Sequence, residues 1–145
     1  MQGLNLETIE EIDYEVAKRD FKFFFEEILG FQLSWHHEKW FDNLEAQRRY
    51  CVKAARDHGK STLFLGYLLW KVAFNPKCKA VLISHSLHQS IHHMRTLNDL
   101  IDGIPFLARM KKNDAWSKTF FGFTNGSNIS AKSVGGAIRG IHPDL

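Results

Sequence analysis

"AARDHGKST", residues 54–62, sets a Gly-Lys-Ser triplet between two runs of opposite character. Ahead of it, "YCVKAA" (50–55) is a short run of strand type. Behind it, "KSTLFLGYLLWKVAFN" (60–75) reads as a strongly apolar helix stopped by Asn75-Pro76. A turn that joins a strand to a helix N-terminus lets successive main-chain N–H groups curl around phosphates. The lysine then reaches the outer phosphates, and the Ser or Thr hydroxyl coordinates Mg²⁺. Gly59, Lys60 and Ser61 fill those three places, and Thr62 follows. The first position holds Ala54 where the pattern asks for glycine. That position sets how the chain leaves the strand, and a small residue serves there. A plain strand–turn–helix with a solvent-facing lysine is the rival reading. It leaves the crowded "RDHGKST" (56–62) unexplained.

The rest of the chain bounds what this loop can belong to. With 145 residues, 44% hydrophobic and 24% charged, it is long enough for one folded domain with a real core. The net charge of +3 permits a polyanionic partner without arguing for one. No apolar run reaches the roughly 18–20 residues of a membrane span. The N-terminus, "MQGLNLETIEEIDYE" (1–15), is acidic and lacks the basic-then-apolar order of a signal peptide. Cys51 and Cys78 are too few for a disulfide framework and read as reduced core thiols of a cytosolic protein.

Helical spacing in "NLETIEEIDYEVAKRDFKFFFEEIL" (5–29) predicts one helix or two in succession, stopped at Gly30. Ser34 caps the next, "SWHHEKWFDNLEAQRR" (34–49), with Glu38 in its first turn. "KAVLISH" (79–85) suits a strand buried on both faces. A helix then runs from the Ser86 cap to Gly103. "KTFFGFTNGSNISAKS" (118–133) is a hairpin around "TNGS", where Asn-Gly favours a two-residue turn. Strands alternating with helices imply an α/β chain with a parallel sheet flanked by crossover helices.

Within the loop, Arg56 can balance charge that develops on a γ-phosphate, or pair with a carboxylate and hold the loop's shape. Asp57 sits close to any phosphate and points away or pairs with Arg56, and His58 completes the crowded stretch with Ala55.

The loop, the aromatic-rich helix before it, and "VLISHSLHQS" (81–90) and "GGAIRGIHPDL" (135–145) after it resemble the ATPase domain of phage terminase large subunits. The resemblance runs from about Phe23 to Leu145. It implies an ASCE-type P-loop NTPase, in which the loop opens with a small residue and carries an arginine at Arg56. It further implies ATP and Mg²⁺ as ligands, with Ala54 to Thr62 around the phosphates, Ser61 on the metal, and Lys60 and Arg56 in catalysis. An adenine-side element falls on Gln32, Trp35 and His37 (or its neighbour His36), and Arg139 becomes a candidate finger toward a neighbouring subunit. The same resemblance implies a helical lead-in over 1–48 and a nucleotide-binding core over 49–145. The Walker B strand, its catalytic carboxylate and a C-terminal nuclease domain are expected beyond Asp144-Leu145, so the chain alone should turn ATP over poorly. Double-stranded DNA, a terminase small subunit, a portal protein and a homo-oligomeric ring are the implied partners, in the host cytoplasm.

Two rivals stand beside this reading. One is a helicase or recombination ATPase of the same fold, and the other is an inert fragment without turnover. Eight histidines, among them His85, His88 and His92, lack the thiolates or carboxylates at characteristic spacing that a zinc site combines. "FLARMKKNDAWSK" (106–118) gathers Arg109, Lys111, Lys112 and Lys118 around Trp116, a candidate DNA contact or simply a solvated face. Gln89 is a candidate packing or phosphate-side contact.

Overall fold

The computed structural model of the chain describes residues 6–47 and 59–134. The chain divides into two compact units, Met1–Tyr67 and Leu68–Leu145.

In the first unit, α1 (Leu6–Arg19) is followed by α2 (Phe21–Phe23). Asp20 separates them, extended at φ −131°, with its carboxylate accepting from the Phe23 amide. The chain runs on into a π-helical turn, Phe24–Ile28, in which the Leu29 amide reaches back to the Phe24 carbonyl. Gly30, at φ +80°, ends it, as glycine does where the backbone turns left-handed. Then follow α3 (Trp35–Ala46) and the first half of α4 (Lys60–Phe74).

The widened turn buries Phe24 and Phe25 together with Phe21. Phe21 stacks on Phe41 with ring centroids 4.5 Å apart, and Tyr67 stands edge-on to both. The Tyr67 hydroxyl donates to Glu45 at 2.8 Å, so this ring is buried without stranding its polar end.

In the second unit, β1 (Lys79–Ser84), α5 (Leu87–Asp102), α6 (Pro105–Arg109), β2 (Lys111–Trp116), β3 (Phe120–Phe123) and β4 (Asn128–Ser133) follow in order. The sheet order is β1-β4-β3-β2. Ser86 caps α5 by accepting from the Gln89 amide, which gives Gln89 a local role at the helix start. Ser90, Met94, Leu97 and Ile101 form its buried stripe. The Ser90 hydroxyl donates to the Lys132 carbonyl at 2.7 Å and ties α5 to β4.

The chain is therefore mixed α/β, but the sheet departs from the all-parallel expectation. Among the described strands, β1 and β4 pair parallel, while β4–β3 and β3–β2 are antiparallel. Two causes account for this. The 118–133 hairpin returns directly on itself, and "KKNDAW", read in the sequence as a charge cluster, is an edge strand, where charged residues are at home. The expected burial of β1 on both faces also fails, because β1 ends the described sheet order. Ala80 is buried, Val81 and Leu82 are half-buried, and Ile83 is 49% exposed. Cys78 is half-buried rather than a core thiol. Cys51 and the expected strand at 50–55 lie outside the described residues.

The turn of the hairpin is longer than the two residues expected. Phe123 and Ser127 close it, the Gly126 amide bonds back to the Phe123 carbonyl, and Gly126 takes φ +85°. This is a three-residue loop with glycine at its left-handed position. Asn125 is free to act through its side chain instead. Its amide nitrogen donates to the Val72 and Ala73 carbonyls at the end of α4, and its oxygen accepts from the Ser127 amide. Buried Ser127 donates to the Asn75 carbonyl and accepts from the Cys78 amide. Asn125→Ala strips three of these bonds and leaves part-buried groups unpaired. We expect a loss of about 2–3 kcal/mol in urea denaturation of the chain.

No helix among the described residues is long and apolar enough to cross a membrane. Likewise, no group of three or more His, Cys, Asp or Glu among them could hold a metal ion.

Candidate functional site

The site is built where α4 begins. Gly59 stands immediately before Lys60 with φ +71°, and its carbonyl accepts from the Leu63 amide at 3.0 Å. It is the N-cap of α4. A left-handed residue followed directly by helical ones turns consecutive N–H groups toward a common point. The first turn of an α-helix also has no intrahelical acceptors for its amides. Lys60, Ser61 and Thr62 make up that turn, with Lys60 and Thr62 half-buried and Ser61 exposed. Buried Leu63 anchors the turn from behind.

His37 fixes the other side. It is only 7% exposed, and its Nδ1 accepts from the Ser34 amide at 3.2 Å. A Cβ placed on Gly59 would lie 2.8 Å from His37 Nε2 and 3.0 Å from Cε1. Gly59 is thus required twice, by its backbone angle and by the imidazole packed against it. Ser34 is the N-cap of α3 and Glu38 lies in its first turn, as the sequence reading has it. The side chain reaching back to the Ser34 amide is His37, while Glu38 pairs with Lys22 at 3.0 Å.

No protein-family model and no curated protein matches this chain.

Of the residues assigned to an adenine-side element, His37 faces the loop glycine and packs within the first unit. Gln32 is exposed, and Trp35 is 78% exposed, its ring edge-on to His36 at 5.6 Å. Trp40 and Phe41 are half-buried; Phe41 is packed on Phe21 as a core residue would be. Ala54, Ala55, Arg56, Asp57, His58 and Arg139 lie outside the described residues, as does the 135–145 segment. The structure therefore brings together Gly59 and His37 beside the first turn of α4.

One element of the site's support escaped the sequence reading. A Cβ on Gly66 would fall 2.9 Å and 3.0 Å from atoms of the Phe25 ring. The glycine lets the aromatic lead-in seat directly on α4. An isolated glycine inside "LFLGYLL" (63–69) is the signal that marks such a contact.

Of the basic cluster, Lys111 reaches the Trp116 ring: its ammonium lies 4.7 Å from the ring centroid, 2.8 Å from Asp102 Oδ1 and 3.3 Å from Asn98 Oδ1. That charge is already neutralised. Lys112 and Lys118 are exposed.

Proposed function

We propose that this chain is the ATP-binding part of a viral DNA-packaging motor of the P-loop class. The observation that carries the nucleotide reading is that α4 starts at Lys60 directly behind a left-handed Gly59. A side chain on that glycine would collide with His37, so the turn keeps the bare backbone that a phosphate-binding loop needs. The residues present fit a triphosphate. Lys60 would clamp the β- and γ-phosphates, Thr62 would lie on the α side, and Ser61 would hold Mg²⁺. The metal would supply charge neutralisation across the β- and γ-oxygens. Trp35, exposed two residues before His37, is the aromatic surface offered to a base.

The motor assignment rests on the terminase resemblance of the loop and its flanks, together with a mixed α/β fold. Double-stranded DNA, a small subunit, a portal protein and a ring of identical chains belong to the same proposal, with Arg56 and Arg139 as charge-stabilising candidates.

The test is a titration with a fluorescent ATP analogue, with and without Mg²⁺. Lys60→Ala should weaken binding by about tenfold or more, the effect of one lost charge-assisted contact. Equal affinity in both proteins would reject the reading. Turnover that disappears in Lys60→Ala would also reject an inert fragment.

A further inference from the structure

We propose that the cleft between α5 and the β2–β3 hairpin is a docking site for an acidic peptide segment that carries an apolar side chain beside its carboxylate.

The cleft measures about 400 Å³, near the lower end of the range for small-ligand sites and enough for two side chains. Its wall is apolar and rigid. Met94 and Phe121 are buried, and Trp116 stacks on Phe121 with ring centroids 4.1 Å apart and planes 5° apart. Asn98 pins that indole by accepting from its N–H at 3.1 Å, while Asn98 and Asp102 together hold Lys111. The cleft is therefore formed before any ligand arrives.

Charge selects the occupant. Arg95 and Lys118 line the cleft from opposite sides, one on α5 and one in the turn after β2. Both are exposed and neither makes an ion pair among the described residues. Lys111 and Asp102 cancel each other, and Asp99 is the remaining carboxylate of the lining. A guanidinium and an ammonium facing an aromatic wall suit a carboxylate attached to an apolar body, the arginine binding it through two parallel N–H groups.

A nucleic-acid backbone is the poorer fit. It has no apolar side chain to place beside the half-buried Trp116, and its closely spaced phosphates would meet Asp99. Asp99 suits a peptide, since it can accept from a main-chain N–H.

The experiment uses the full chain, labelled with ¹⁵N, and the acetylated and amidated peptide Phe-Glu-Leu-Glu as probe. We expect saturable shifts of the Trp116 indole and Lys118 amide signals, with Kd on the order of 0.1–1 mM. Arg95→Glu combined with Lys118→Glu should weaken binding by about fivefold or more, as should Gln in place of both Glu residues of the peptide. Lys118→Ala, which leaves α5 untouched, should show a smaller loss in the same direction. Lys112→Glu should change nothing. Absence of shifts at about 5 mM peptide, a concentration above the expected Kd, would overturn the proposal. So would equal binding by the charge-reversed protein. A duplex of about 20 base pairs that moves the same signals, and loses that effect in the charge-reversed protein while the peptide does not, would replace it with a phosphate contact.

Discussion

Gly59→Ala is expected to destabilise the first unit by about 2–5 kcal/mol and to weaken ATP-analogue binding by at least about tenfold. Two independent costs add. An L-residue held left-handed costs about 1–2 kcal/mol. The new methyl would also sit 2.8 Å from His37 Nε2, closer than atoms tolerate, and the imidazole has little room to retreat because Nδ1 holds the Ser34 amide. Overpacking of this kind costs about 1–3 kcal/mol. The two costs can be separated. His37→Ala in the Gly59→Ala background removes the collision and leaves the backbone strain, so it should recover part of the stability and not the rest. Urea denaturation gives the first quantity and the titration gives the second. Wild-type stability in Gly59→Ala would mean that His37 does not press on the loop glycine.

Phe25→Ala should cost about 3–5 kcal/mol, the range for truncating a buried aromatic ring. Phe25 is 1% exposed and packs against Phe21 and Phe31 at centroid distances of 5.5 Å and 5.3 Å. Its ring also occupies the space left by the missing side chain of Gly66. That geometry makes a second substitution change sign. Gly66→Leu in the native protein drives a side chain into the ring and should destabilise by about 1–3 kcal/mol. In the Phe25→Ala background the same leucine enters a cavity and should stabilise. A double-mutant cycle measured by thermal or urea unfolding reads this coupling directly. Additive effects would show that the ring and the glycine do not share that space.

The features legible in the sequence were those encoded by neighbours in the chain. The stop at Gly30, the start of α4 behind Gly59, the Ser86 cap and the 118–133 hairpin all rest on local patterns, and the structure has each of them. What misled was chemistry set by distant partners. "KKNDAW" looks like a solvated charge run because Lys111 finds Asp102 and Trp116 finds Asn98 only once α5 lies alongside. The parallel sheet was inferred from alternation, which does not register a strand made of charged residues at an edge. Within the site, glycine and lysine were legible from the motif. The press of His37 on Gly59 was not, since a histidine's contacts depend on how α3 is laid against α4 rather than on spacing.

The tip of the 118–133 hairpin is where a protein engineer would ordinarily splice a tag or a reporter, since such tips tolerate additions. Here Asn125 and Ser127 clasp the end of α4 and the approach to β1 through their side chains, with Ser127 buried at 2% exposure. A graft at that tip would unfasten the sheet from within. The short link at Ser117–Thr119, whose Ser117 and Lys118 are exposed, is the more forgiving place to cut.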